Sequence, residues 1–273
     1  MPQLKAAASL PTCVQRAACR GRFSRDSLRR MPTLSLQDGT ESFQVTWLEA
    51  ERPARVVLFA VGGGGNPERH LTLLNALVEH GCSVVAPHCE RLVAPRPTEA
   101  DLSSRARRLK LALDFAAQPG TPVVGLGHSI GTTLLLALAG AKIWLSAAGP
   151  LALEPELRLE RLLLLAPATG FFQAPHALDA VRASLEIWAA TDDHITPLAQ
   201  AEYLQRELAA RVPLVLHVCE GAGHFSFMHL PPPNTVEPLV DRDAFLAELT
   251  RQVCNEARRV VAVVALARCS RNL

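Results

Sequence analysis

The sequence contains no apolar run long enough to cross a bilayer, which requires roughly 18–20 consecutive apolar residues. The longest candidate near the end, Val260 to Ala267, is far too short. The seven cysteines include no C-x-x-C pair, and the nine histidines show no H-E-x-x-H or similar spacing. These absences predict a soluble, cytoplasmic protein with reduced structural thiols and no metal site.

Positive charge is concentrated at the two ends of the chain. Residues 1–31 hold seven Lys or Arg residues and one acidic residue, and residues 255–273 hold four Arg residues and one Glu. Since the whole chain has a net charge of +2, residues 32–254 carry −7. This acidic central part gives no reason to expect a nucleic-acid partner, because phosphate backbones are bound by a clustered basic face.

Composition divides the chain into three parts. Residues 1–31 are rich in Arg, Ala and Ser without hydrophobic periodicity, which predicts a disordered basic extension; the alternatives are an organellar transit peptide and a translation start at Met31. Residues 32–254 are long enough to form one domain with a sizeable core. Residues 255–273 are expected to be a basic tail that can continue the last helix.

Short apolar strands alternate with amphipathic helices along the central part. The runs ARVVLFAV, SVVAPH, PVVGLGH, RLLLLAPA and SLEIWAA are typical of strands covered on both faces. Between them lie helical patterns such as PERHLTLLNALVEH, residues 67–80, and TEADLSSRARRLKLALDFAAQ, which Thr98 is expected to open as N-cap. The alternation predicts an α/β fold with a mostly parallel central sheet and helices on both faces. The short connection after Ala168 predicts a minimal lid.

One serine lies between a predicted strand and a predicted helix, in Gly127-His128-Ser129-Ile130-Gly131. Such a tight turn strains the backbone and leaves room only for small residues two positions before and after the serine. It also lifts the hydroxyl above the carboxyl ends of the strands and brings helix N-terminal amides close to it. The pattern is therefore typical of a nucleophile.

This pentapeptide resembles the nucleophile elbow of the α/β-hydrolase superfamily, and three further segments are similar to functional loops of that family. VGGGG, from Val61, resembles the oxyanion loop, with Val61 where the family usually has histidine. ATDDHITP is similar to the acid turn, and EGAGHFSF is similar to the loop of the catalytic histidine. The resemblance covers roughly residues 40–252 and implies the α/β-hydrolase fold. It points to the small serine esterase and dienelactone-hydrolase-like branches, although dienelactone hydrolases proper carry a cysteine nucleophile.

The resemblance implies a serine hydrolase that cleaves a small or medium acyl ester, thioester or lactone through an acyl-enzyme. Ser129 would be the nucleophile, His224 its general base, and Asp193 the acid that holds the imidazole. The backbone N–H groups of Gly63 and Ile130 would bind the oxyanion. The implied partner is a small-molecule acyl substrate, with no metal and no organic cofactor; the oligomeric state is not determined.

Alternatives stay open at several positions. Asp192 competes with Asp193 for the acid, and His229 competes with His224 for the base. His128 is expected to be a core or pocket-wall residue. Four phenylalanines either line an acyl pocket or pack in the core: Phe171, Phe172, Phe225 and Phe227.

Three other functions are compatible with the same residues. An acyltransferase or a peptidase would use the same triad, whereas a non-catalytic ligand-binding protein would use the fold alone.

Overall fold

The computed structural model describes residues 32–93, 96–146, 149–151 and 153–259. The expected basic extension 1–31 and residues 260–273 of the expected tail lie outside the described residues. None of the helices in the described ranges is long and apolar enough to cross a membrane.

Eight strands of the described chain form one mostly parallel sheet, and two short strands form a separate hairpin. The strands are β1 (Thr33–Asp38), β2 (Glu41–Leu48), β3 (Arg55–Ala60), β4 (Cys82–Pro87), β5 (Val123–His128), β6 (Trp144–Ser146), β7 (Gly149–Pro150), β8 (Leu159–Leu165), β9 (Ser184–Ala190) and β10 (Leu214–Cys219). Their order in the large sheet is β1-β2-β4-β3-β5-β8-β9-β10. Strand β2 is antiparallel to β1 and β4, and all other neighbours are parallel.

Five α-helices accompany the sheet in the described ranges. They are α1 (Leu71–Glu79), α2 (Glu99–Ala116), α3 (Ile130–Leu138), α4 (Leu198–Leu208) and α5 (Arg242–Arg258). Helices α2, α3 and α4 contribute to one hydrophobic cluster, and α1 and α5 contribute to a second one. Because β3, β4, β5 and β9 are buried throughout, the sheet lies between these two helical layers, as the continuous apolar runs predict.

Helix α2 begins where its capping residues lie. The Thr98 side chain accepts a hydrogen bond from the Asp101 N–H, and the Asp101 carboxylate accepts one from the Thr98 N–H. This capping box satisfies amide groups that the first helical turn leaves without partners. The expectation of Thr98 as N-cap is confirmed.

The helix expected over residues 67–80 begins with a different geometry. A 3₁₀ turn covers Pro67–His70, and α1 starts only at Leu71. The Asn66 side chain accepts a hydrogen bond from the Glu68 N–H at 2.8 Å, which closes a tight local turn before the α-helix. The connection between β8 and β9 contains a single 3₁₀ turn, Gly170–Phe172, and no α-helix.

Candidate active site

Ser129 lies at the junction of β5 and α3 in a strained conformation. Its φ is 56° and its ψ is −128°, so a non-glycine residue adopts positive φ. Conformations of this kind cost on the order of 1–3 kcal/mol and persist only where the surrounding structure enforces them. The strain is the one expected of a nucleophile elbow.

The glycines on either side of Ser129 allow α3 to approach the sheet. A Cβ atom at Gly131 would lie 2.1 Å from the Ala60 carbonyl oxygen at the end of β3. A Cβ atom at Gly127 would lie 3.0 Å from the Thr132 backbone nitrogen. A Cβ atom would overlap backbone at Gly131 and would be tightly packed at Gly127, so both positions favour glycine, as the elbow pattern predicts.

Asp193 and His224 meet on the loops that follow β9 and β10. The His224 Nδ1–H donates to Asp193 Oδ2 at 2.7 Å, and both side chains are almost fully buried. Asp193 Oδ1 accepts the backbone N–H groups of Ile195 at 2.8 Å and Thr196 at 2.7 Å. The carboxylate is thus held on both oxygens, with one oxygen directed at the imidazole.

Thr196 is part of this arrangement, although no sequence pattern points to it. Its hydroxyl donates to Asp193 Oδ2 at 2.7 Å and lies 3.1 Å from His224 Nδ1. Burial acts to raise the pKa of Asp193, but hydrogen bonding and charge interaction with His224 and hydrogen bonds from Thr196 outweigh it. The pKa of Asp193 therefore lies below the usual value for this group, and the carboxylate stays ionised.

The two rival residues occupy different surroundings. Asp192 is exposed, and its side chain accepts a hydrogen bond from the Thr191 hydroxyl at 3.3 Å. Neither Asp192 nor His229 forms a hydrogen bond with Asp193 or His224 through its side chain in the described part of the chain. Of the candidates for the acid and the base, the structure brings together Asp193 and His224.

His128 connects the elbow to the histidine loop. Its Nε2–H donates to the His224 carbonyl oxygen at 3.0 Å, and the two rings lie 4.9 Å apart. The side chain is fully buried, and burial, followed by repulsion from His224 and His70, places the pKa of His128 well below its usual value. His128 is therefore a neutral core residue, as expected.

Ser129 lies at the same end of the sheet as this pair, but its hydroxyl makes no hydrogen bond with His224 among the described residues. Hydrogen bonds between a nucleophile and its base are often long or misaligned without substrate and tighten only in the complex. The structure thus places the bonded Asp193–His224 pair and the strained Ser129 at one end of the sheet, without a hydrogen bond between His224 and the Ser129 hydroxyl.

The glycine loop after β3 lies next to the elbow. A Cβ atom at Gly62 would be 3.1 Å from His128 Nδ1 and 3.6 Å from the Ser129 Cβ. The backbone N–H groups of Gly63 and Ile130 donate to no acceptor within the described ranges. Both amides are therefore free to donate to a substrate oxygen.

The four phenylalanines separate into two groups. Phe172 and Phe227 are fully buried in the hydrophobic core. The Phe225 ring contacts the His224 ring edge-on at 5.1 Å, and Phe171 is only partly buried. Of these four side chains, those of Phe171 and Phe225 are partly exposed.

No group of three or more His, Cys, Asp or Glu residues in the described ranges could hold a metal ion. The four cysteines described by the structure, Cys82, Cys89, Cys219 and Cys254, are all free thiols.

The comparisons with known proteins find similar solved structures. No family model matches the chain, and no curated protein matches it. Among solved structures, dienelactone hydrolase from Anabaena variabilis is similar with a TM-score of 0.60 at 17% identity, covering 83% of this chain and 95% of that one. A thermophilic esterase from Thermogutta terrifontis has a TM-score of 0.58 at 14% identity, covering 83% and 90%. An α/β serine hydrolase homologue from Coxiella burnetii has a TM-score of 0.57 at 15% identity, covering 82% and 96%.

At 14–17% sequence identity, these three similarities concern the fold. The chain therefore has the fold of the α/β-hydrolase superfamily, and this prediction from the sequence is confirmed. Its structural neighbours are esterases and serine hydrolases.

Proposed function

We propose that this protein is a serine hydrolase that cleaves a small or medium acyl ester, thioester or lactone through an acyl-enzyme on Ser129. The observation that carries the proposal is the buried Asp193–His224 hydrogen bond at the sheet end where strained Ser129 lies. Hydrolysis by this route needs a nucleophile, a base and an orienting acid, which these three residue types supply.

In the first half-reaction, the Ser129 hydroxyl proton moves to His224 Nε2 while Oγ bonds to the substrate carbonyl carbon. The carbonyl π electrons move to oxygen and form a tetrahedral oxyanion. When this intermediate collapses, the bond to the leaving group breaks and His224 gives its proton to that group. In the second half-reaction, water gives a proton to His224 and its oxygen bonds to the acyl carbon. When this second intermediate collapses, the bond to Ser129 Oγ breaks, His224 returns the proton to Oγ, and the carboxylic acid is released.

Asp193 keeps the Nδ1–H tautomer of His224 and stabilises the imidazolium that forms in each half-reaction. The N–H groups of Gly63 and Ile130 bind the oxyanion, and such a donor typically contributes about 3 kcal/mol to transition-state stabilisation. The short β8–β9 connection leaves no inserted helical lid, which favours small substrates in an open site.

The decisive experiment is labelling with a fluorophosphonate probe, which requires an activated serine and no knowledge of the substrate. We expect stoichiometric labelling of the native protein and none of Ser129→Ala. Ser184→Ala is the matched control, because Ser184 is also buried but lies at the beginning of β9, at the opposite end of the sheet from the site.

Labelling that persists in Ser129→Ala would assign the nucleophile to another residue, and a native protein that is not labelled would favour a non-catalytic role. A chain-length series of chromogenic esters, with and without an added alcohol acceptor, then separates hydrolase from acyltransferase. The cytoplasmic location and the absence of a nucleic-acid partner stay predictions.

A further inference from the structure

Arg105 of α2 is a buried cation bonded only to backbone carbonyl groups in the described residues. Its side chain reaches the glycine loop after β3, where Nη1–H donates to Gly62 O at 3.1 Å and Nη2–H donates to Gly63 O at 3.4 Å. Nη2–H also donates to Glu90 O. The residue is 3% exposed and forms no ion pair with a described carboxylate. Burying a guanidinium without a counter-ion is costly, so this contact calls for an explanation beyond packing.

The Gly62 carbonyl that Arg105 contacts belongs to the peptide unit of a proposed oxyanion donor, the Gly63 N–H. Gly62 C=O and Gly63 N–H are two ends of the same planar amide, whose resonance couples them. A cationic donor on the oxygen withdraws electron density from the nitrogen and makes the N–H a stronger donor. It also fixes the direction in which that N–H points.

The second proposed oxyanion amide has an equivalent contact. Ser129 C=O and Ile130 N–H form one peptide unit, and the Ser129 oxygen accepts the Thr132 hydroxyl at 2.6 Å and the Thr132 N–H at 2.9 Å. The Thr132 hydroxyl in turn accepts the Ala168 N–H at 3.1 Å, and the side chain is fully buried. Each of the two amides is thus bonded through its carbonyl by a buried side chain.

We propose that Arg105 and Thr132 are positioning residues for the oxyanion site, each strengthening and orienting one N–H donor through the carbonyl of the same peptide. The proposal rests on the proposed function. Because negative charge develops on the substrate oxygen only in the transition state, their loss lowers kcat and leaves KM nearly unchanged.

Two adjacent threonines provide a matched test. Thr133 is equally buried on the same helical turn, but its hydroxyl donates to Ala168 O at 2.6 Å and not to the elbow. Thr132→Val and Thr133→Val each remove one buried hydroxyl. Since a whole oxyanion donor contributes about 10²–10³ in kcat, we expect about a tenfold loss in Thr132→Val, rescue in Thr132→Ser, and less than a twofold change in Thr133→Val.

A second buried arginine, Arg161, provides the control for substitutions of Arg105. Arg161 is 7% exposed and pairs with Glu186 and Glu256 near the beginning of β8, at the opposite end of the sheet from the site. We expect kcat to fall about 100-fold in Arg105→Met and less in Arg105→Lys, which keeps a cationic donor. Arg161→Met should lose stability without a comparable loss of kcat. If Arg105→Met does not fold, the threonine pair decides the proposal.

Binding of a trifluoromethyl ketone separates this role from a structural one, because its serine adduct carries the oxyanion. In the Arg105 and Thr132 variants its inhibition constant should rise by the same factor by which kcat/KM falls, while KM for the ester stays constant. Variants with unchanged kcat and inhibition constant would overturn this inference, even with Ser129→Ala inactive. A native protein that no fluorophosphonate labels would instead overturn the proposed function, and this inference with it.

Discussion

At the scale of single residues, the two adjacent aspartates of the acid turn differ in burial and in partners. Asp193 is 2% exposed and contacts His224, whereas Asp192 is exposed and contacts Thr191. Consecutive side chains on a turn project in different directions, so only one of them can reach the histidine loop. Local contacts therefore favour Asp193 as the acid.

Asp193→Asn is expected to lower ester turnover by about 10⁴, because the amide favours the wrong tautomer of His224. Asp192→Asn should cost about tenfold or less, since it changes only local hydrogen bonds. Turnover of both variants at the pH optimum of the native protein measures the difference. An inactive Asp192→Asn beside an active Asp193→Asn would reverse the assignment.

A buried histidine makes stability depend on pH. Burial, with repulsion from His229 and Arg69, lowers the pKa of His70 from its ordinary 6.5 to about 3, against a smaller opposing effect of the Phe227 backbone. Its ring packs between those of Phe59 and His128, whose own pKa is also lowered. Between the two pKa values, His70 is neutral in the folded protein and protonated in the unfolded chain.

Between pH 6.5 and about 3 the unfolded state therefore binds more protons, and stability falls as the pH falls. The contribution of His70 is fully present above pH 6.5 and decreases by up to about 1.4 kcal/mol per pH unit below it. His70→Phe should reduce the slope of the unfolding free energy against pH, between pH 6 and 4, by up to about 1.4 kcal/mol per pH unit, which corresponds to one proton. Urea unfolding at several pH values measures this slope, and an unchanged slope would contradict the prediction.

At the scale of elements, the position of α3 against β3 and β5 determines the elbow. Gly131 allows the first turn of α3 to lie close to the Ala60 carbonyl, next to Ser129 with its positive φ. Helix α2 has a parallel role, since its capping box determines where it begins and its middle carries Arg105.

Gly131→Ala should cost more than about 3 kcal/mol or displace the elbow, because the new Cβ would overlap backbone that cannot move aside cheaply. Gly170→Ala is the control: a Cβ there has open space, and φ is not positive. It should change the free energy of unfolding by less than about 0.5 kcal/mol. Denaturant unfolding together with fluorophosphonate labelling measures both effects, and a stable, fully labelled Gly131→Ala would refute the close-contact argument.

At the scale of the whole molecule, parallel strands bring distant segments to one edge. The loops after β3, β5, β9 and β10 all leave the carboxyl ends of parallel strands in one sheet. Residues more than 150 positions apart in sequence therefore meet there, as Arg69 and Leu230 do. In open α/β sheets this edge is where ligands bind. The architecture, not any single loop, assembles the candidate site.

Deleting residues 1–30 is expected to leave turnover and Tm nearly unchanged, because this segment carries a net charge of +6 and no hydrophobic periodicity. Thermal unfolding and ester turnover of the truncated and full-length proteins test this expectation. A drop of several degrees in Tm would show that the segment packs on the domain.

The sequence by itself determined the fold class, because alternating apolar strands and amphipathic helices leave few other ways to bury their faces. The strand SLEIWAA matches β9 residue for residue, and the Thr98 cap follows from local chemistry. No sequence pattern predicts β1, because the half-exposed residues in TLSLQD lack the apolar run of a central strand. The pattern over residues 67–80 predicts one helix, whereas a 3₁₀ turn precedes α1.

Some features of the candidate site can be predicted from the sequence, and others depend on the tertiary structure. Glycines around Ser129 are visible in sequence because backbone strain is a local property, and the order of the three proposed triad residues follows from the family resemblance. The contacts of Thr196 with His224 and of Arg105 with Gly62 depend on segments far apart in the chain. Only the tertiary structure decided these, because a buried polar side chain bonds to whatever acceptor the packed elements bring within reach.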